Sequence, residues 1–329
     1  MATYQPPKDM KSLSFFSVYR ESFNIISTNT KLFTQISIFN ILPLSLISLF
    51  LIPSTSLLFP DTIFNHLNLT DPPENPNYEN LSLFLIYIFA YLVLIIALSL
   101  LAFSSVTYAV ACICTDHSNI TFQATLRAFK RAWKNLVLTR LAIFATMVGF
   151  TLLMVLLIIA PVWVLYVSDY RYQTVAFLAI SIIYSVYLGG IVYINMVWIF
   201  GGVVAVLEGT YGFKALSKSR SLIKGKARWT YRELVPVSLC NYLVAWMIVK
   251  VVTNGGLIGL GTVKRIGLGV VGLPVLVGLA LFAVVVQVVA YLVCKADKGE
   301  GILKSSVMDH LDIFVDGFVY SSLVRTNLM

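Results

Sequence analysis

The chain has 329 residues, of which 58% are apolar and only 12% charged, with a formal net charge of +9. A soluble domain is usually about half apolar and a quarter charged, so a soluble globular protein is the reading this composition excludes first. Soluble helices also need a polar outer face, and long stretches of this chain lack one.

In chain order, residues 1–31 form a basic cytoplasmic N-terminal segment holding Lys8, Lys11, Arg20 and Lys31, and an interfacial helix is expected in it. Its mixture of cations with Asp9 and Glu21 is unlike a cleavable signal or a transit peptide, so the first span is expected to serve as the insertion signal. Residues 32–60 supply that span. Residues 81–115, 174–207 and 266–294 contain no Lys, Arg, Asp or Glu. Each exceeds the roughly 20 apolar residues that cross a hydrocarbon core of about 30 Å. Residues 141–168 qualify as well, and residues 234–249 form the shortest candidate. The predicted architecture is therefore an all-α polytopic bundle of about six transmembrane helices over residues 32–294, with amphipathic helices on its cytoplasmic face and a cytoplasmic tail over 295–329.

The placement of charge sets the expected topology. Arg127, Lys130, Arg131, Lys134 and Arg140 lie between spans two and three, and Lys214, Lys218, Arg220, Lys224, Lys226, Arg228 and Arg232 between spans four and five. Residues 61–80 have no cation. The positive-inside rule then puts both termini in the cytoplasm, with Lys250, Lys264 and Arg265 against the trend. The secretory and endomembrane system or the plasma membrane is the expected location. In the outer loop Asn68-Leu-Thr70 fits the N-glycosylation pattern, as does Asn80-Leu-Ser82 near the membrane. Asn119-Ile-Thr121 fits too, on the cytoplasmic side.

Each basic segment precedes a pair of spans, which suggests a threefold internal repeat. Phe15, Phe122 and Phe213 are each followed two positions on by Ser17, Ala124 or Ala215, and five positions on by Arg20, Arg127 or Lys218. In the second segment Phe122, Leu126, Phe129, Trp133 and Leu136 recur at helical spacing, opposite a basic face. That face, with Arg127, Lys130, Arg131 and Lys134, is the candidate contact for anionic lipid. Packing of the apolar stripe on the protein's own bundle explains the periodicity equally well.

Residues 174–207 make a helix of about 50 Å at 1.5 Å per residue, and Gly189-Gly190 is the expected bend. The stretch from Gly255 to Gly278, with a GxxxG at Gly255 and Gly259, reads either as a helix contact face or as a broken, re-entrant connection.

Catalytic chemistry is poorly supplied. His66, His117 and His310 are scattered, the spans hold no acidic pair, and no GxSxG, HExxH or P-loop pattern occurs. No catalytic, cofactor or metal residue is predicted. Asp309, His310, Asp312 and Asp316 in the tail read as a solvated acidic face. Cys112, Cys114 and Cys294 near cytoplasmic span ends read as small apolar helix residues, with palmitoylation as the alternative. Asn40, Asn195, Asn241 and Gln287 place amides at membrane depth, where they serve interhelical packing or line the polar cavity of a transporter. The expected partner is the bilayer, with anionic lipids, rather than nucleic acid.

Two segments carry a resemblance. Residues 197–226, VWIFGGVVAVLEGTYGFKALSKSRSLIKGK, together with YLVCK at Tyr291 to Lys295 and DHL at Asp309 to Leu311, resemble a family of plant multi-pass membrane proteins of unknown function. That family is distantly similar to the membrane-embedded part of bacterial glycerophosphodiester phosphodiesterases. The resemblance implies a six-span fold. It brings neither the catalytic barrel nor any functional residue.

Overall fold

A computed structural model describes residues 15–49, 78–114, 121–167, 170–254 and 262–298, which are helical apart from short turns and contain no strand. Helix α1 (Phe15–Thr28) is followed at Asn29 by α2, the first span (Thr30–Leu49), which widens into a π-helical turn at Ser37–Ile41. Then come α3 (Tyr78–Cys114), α4 (Phe122–Val167), α5 (Tyr170–Leu207), α6 (Gly212–Ile223), α7 (Ala227–Asn254) and α8 (Thr262–Asp297). Among the described residues six helices are long and apolar enough to cross a bilayer, over Thr30–Leu49, Ser82–Cys114, Ala132–Tyr166, Gln173–Leu207, Ala227–Val252 and Gly267–Asp297. The protein is an integral, all-α membrane protein.

Several local expectations change. The amphipathic stretch from Phe122 is not a separate surface helix, because it runs unbroken into the third span as α4. No helix-breaking residue separates Leu136 from Leu141, so the helix simply continues into the apolar run. Helix α5 continues unbroken through Gly189 and Gly190. Helix α8 likewise runs through Gly267, Gly269, Gly272, Pro274 and Gly278, which removes the re-entrant reading for that part. Gly269 and Gly272 admit α7 instead, since Cβ atoms there would lie 3.0 Å from Val252 Cγ2 and 2.8 Å from Ile248 Cδ1. Gly255 and Gly259 lie outside the described residues.

The chain divides into two compact units. The described part of the first comprises residues 16–49, 78–114, 121–130, 233–254 and 262–286. Here Val18, Ser22 and Ile25 form the buried face of α1. Tyr19 stacks on Phe282 of α8 and donates a 2.7 Å hydrogen bond to the Glu233 carbonyl of α7. Burial and then the Glu233 carboxylate push the Tyr19 phenol up to about 12, so it remains a donor at every physiological pH. Asn40, at the π-helical turn, donates to Ser105 Oγ of α3 at 3.0 Å, and Tyr91 of α3 donates to the Ile47 carbonyl.

The described part of the second unit comprises residues 15, 131–167, 170–232 and 287–298. Helices α4 and α5 run side by side, with Phe150 stacked on Tyr187 and the tip of the Phe150 ring against the place where a Gly190 Cβ would stand. The short connection from α5 to α6 is pinned to α4. Asn135 Nδ2 donates to the Gly209 carbonyl at 3.2 Å, and the Gly212 amide donates to Thr139 Oγ1 at 3.1 Å. Gly212 has φ of 62°, a left-handed conformation that glycine adopts without steric cost. Ser219 then ties α6 to the Val197 carbonyl of α5 at 2.8 Å.

Candidate functional site at the basic ends of the spans

The cations predicted to meet lipid lie on the first five turns of α4. Arg127, Lys130 and Lys134 are exposed, and Lys134 sits 5.9 Å from the Trp133 ring centroid. Arg131 lies on the same helix, but its side chain is outside the described set. The apolar stripe behind them is divided. Leu136 is buried and Phe122 packs on Phe39 at 5.4 Å, whereas Phe129 and Leu126 are half-buried and Trp133 is exposed. Part of the stripe therefore packs on the protein and part faces outward.

The four amides do not share one unit. Asn40 and Asn241 belong to the first, Asn195 and Gln287 to the second. Asn40 is consumed by its bond to Ser105, which is the packing role. Asn241 is half-buried, and its buried Oδ1 has no hydrogen-bond donor among the described residues. Gln287 is half-buried, and Asn195 is exposed on α5. Cys112, Cys114 and Cys294 are buried thiols, in keeping with small core residues and not with accessible acylation sites. Asn68, Asn119, the three histidines and the acidic tail residues lie outside the described residues, while Asn80 falls in the first turn of α3. Among the described residues no group of His, Cys, Asp and Glu could hold a metal ion.

Sequence reasoning missed the most densely bonded ionic group in the second unit. Glu208 follows the last residue of α5, and only 3% of its side chain is exposed. Its Oε1 accepts hydrogen bonds from the Tyr291 hydroxyl and Lys295 Nζ of α8, each at 2.6 Å. Its Oε2 pairs with Lys218 Nζ of α6 at 2.5 Å. Burial alone raises the pKa of a carboxyl group, but the donors Lys218, Lys295 and Tyr291 outweigh it and hold Glu208 below its ordinary value. Tyr291 is itself fixed edge-on to Phe200 at 5.9 Å. Lys226 and Asp297 form a second ion pair at 2.9 Å. One signal was present in the sequence: Glu208 is the sole acid between Asp169 and Glu233, among eight cations. It lies in the first of the two quoted motifs, and Tyr291 and Lys295 lie in the second. The geometry is that of a structural clasp tying the ends of α5 and α8 to α6, since each carboxylate oxygen lies within 2.6 Å of a lysine ammonium.

The fold and this site define an integral membrane protein with six candidate spans among the described residues, whose basic segments lie beside the ends of those spans. The chain belongs to the family described as Domain of unknown function (DUF8558), whose pattern matches residues 4–326. No curated protein and no solved structure matches the chain.

Proposed function

We propose that the protein is a non-enzymatic membrane protein that gathers anionic lipid at its basic face, with both termini in the cytoplasm and an address in the endomembrane system or plasma membrane. The observation that carries this reading is the outward display of Arg127, Lys130 and Lys134 on a helix that continues directly into a span. Such cations stand at headgroup depth, each worth about 1 kcal/mol near an anionic surface. The test uses the full chain extracted in mild detergent, with retained anionic phospholipid counted as salt is raised. Exchange of Arg127, Lys130, Arg131 and Lys134 for Gln should remove most of the salt-sensitive lipid. Unchanged, salt-insensitive retention would sink the reading, and capture of a soluble protein by the same cations would replace lipid with a partner.

A transporter or channel is the second reading, and the unsatisfied buried Oδ1 of Asn241 is what favours it. Solute flux in proteoliposomes that disappears in Asn241→Leu would support that reading against the first.

A further inference from the structure

Helix α5 carries a line of exposed polar side chains within its span. Tyr187 and Gly190 face Phe150 of α4. On another face, Ser181, Tyr184, Leu188, Ile191 and Asn195 follow one another at steps of three, four, three and four residues, the heptad spacing that keeps side chains on one line of a helix. Ile191 is half-buried and the other four are exposed. Among the described residues, the Ser181 and Tyr184 hydroxyls and the Asn195 amide make no hydrogen bond. Asn195 stands twelve residues inside the Leu207 end of the span and Tyr184 eleven residues inside the Gln173 end, so both face acyl chains, which supply neither donor nor acceptor.

Symmetry identifies what fits this line. All copies of the chain cross a bilayer in one orientation, so a two-fold axis relating two of them stands along the membrane normal and sets each residue level with itself. An asparagine amide holds both a donor and an acceptor, and is complementary to a second asparagine at the same depth. Tyr184 and Ser181, one turn apart, match their own counterparts as hydroxyl donor and acceptor in the same way. These two polar points are eleven residues apart, about 16 Å at 1.5 Å per residue, so a second copy satisfies both only in register. A polar residue in an apolar heptad line sets register and strand number by the same means.

We propose that this face of α5 is a docking surface for a second copy of the chain, forming a two-fold dimer. The Asn195 amides of the two copies exchange hydrogen bonds, and the Tyr184 hydroxyl of each donates to Ser181 Oγ of the other. Leu188 and Ile191 fill the line between these points by side-chain packing. The exposed cations of α4 take no part in this contact.

The experiment is disulfide trapping of the full chain in phosphatidylcholine liposomes, in a Cys240→Ser background that leaves the buried thiols Cys112, Cys114 and Cys294. Leu188→Cys should trap a covalent dimer under mild oxidation, whereas Ile182→Cys, exposed on a different side of α5, should not. Dilution of the protein in lipid gives an apparent dissociation constant from the trapped fraction. Adding Asn195→Leu to Leu188→Cys should raise that constant roughly tenfold, the scale of an interhelical amide contact. Asn195 bonds to nothing within its own copy among the described residues, so the thermal midpoint of the dilute monomer should not move, which separates lost docking from lost folding. The four-Gln variant of Arg127, Lys130, Arg131 and Lys134 should dimerise as wild type does, so the lipid reading and this one can fail separately. Equal trapping at Leu188→Cys and Ile182→Cys overturns the proposal, as does a dissociation constant unmoved by Asn195→Leu. So does a chain that stays monomeric by itself and is trapped only by a different membrane protein.

Discussion

The two halves of the even-numbered spans differ sharply although both are apolar. In α3, residues 82–99 contain no buried residue, whereas all but two of residues 100–114 are buried. In α5, Ala176 is the one buried residue over 173–195, while residues 200–208 are buried apart from Val206. In α8, residues 285–296 are buried apart from Gln287. Composition explains the difference in α3 and α5. The exposed halves are rich in Leu, Ile, Phe and Tyr, and the packed halves carry Ala102, Ser104, Ser105 and Ala109, or Gly201, Gly202 and Ala205. Small residues let helix backbones approach, and dispersion then replaces the hydrophobic drive that lipid tails cannot supply. A Gly201 Cβ would lie 3.0 Å from Leu216 Cδ2 of α6, which shows how close that approach is. Stability is thus expected to reside at the basic ends, with the opposite halves facing lipid.

Four measurements can break or sharpen this contrast. The largest effect belongs to Glu208→Ala, which leaves Lys295, with 6% of its side chain exposed, unpaired in the packed end. A cost of about 3–5 kcal/mol is expected, seen as a large fall in the thermal midpoint in detergent. Acidification comes next. Because the folded pKa of Glu208 lies below its ordinary value, its contribution is complete above about 4.5, the unfolded value, and is lost as pH falls through the folded one. A midpoint that falls below pH 4.5 in wild type, but much less in Glu208→Gln, is the expected pattern; parallel acid profiles would remove the clasp from the account. Tyr291→Phe deletes one donor to the carboxylate and should cost about 1.5–3 kcal/mol by the same assay. Last, Phe177→Leu on the exposed half of α5 should stay within about 0.5 kcal/mol. A loss of several kcal/mol there would mean that the outer half is packed against something and would end the contrast.

Particular residues show how far the sequence could be read. The six spans were legible because hydropathy adds up locally over about 20 residues, and the observed bounds differ mainly at Ala132 and Ala227, where the apolar helices start earlier than residues 141 and 234. Of the recurring Phe15, Phe122 and Phe213, the latter two fall at the first residue of α4 and the second of α6, where they mark helix starts. Gly189 and Gly190 lie inside an unbroken helix, and the Phe150 ring packed against Gly190 shows their use in a close approach of α4. The exposure of Arg127, Lys130 and Lys134 followed from helical periodicity. The side on which Phe122 packs did not, since periodicity gives a face and not its neighbour.

What the sequence determined by itself is the solvent of the fold: charge-free runs longer than a bilayer is thick make an all-α membrane protein of this chain whatever its helices touch. Tertiary structure alone decided which polar groups meet. Glu208 reaches Tyr291 and Lys295 across separations of 83 and 87 residues, and Arg140 finds Trp198 on the next helix. Such meetings depend on the rotation and register of packed helices, which small residues and tight turns set in three dimensions and no local sum of hydropathy contains.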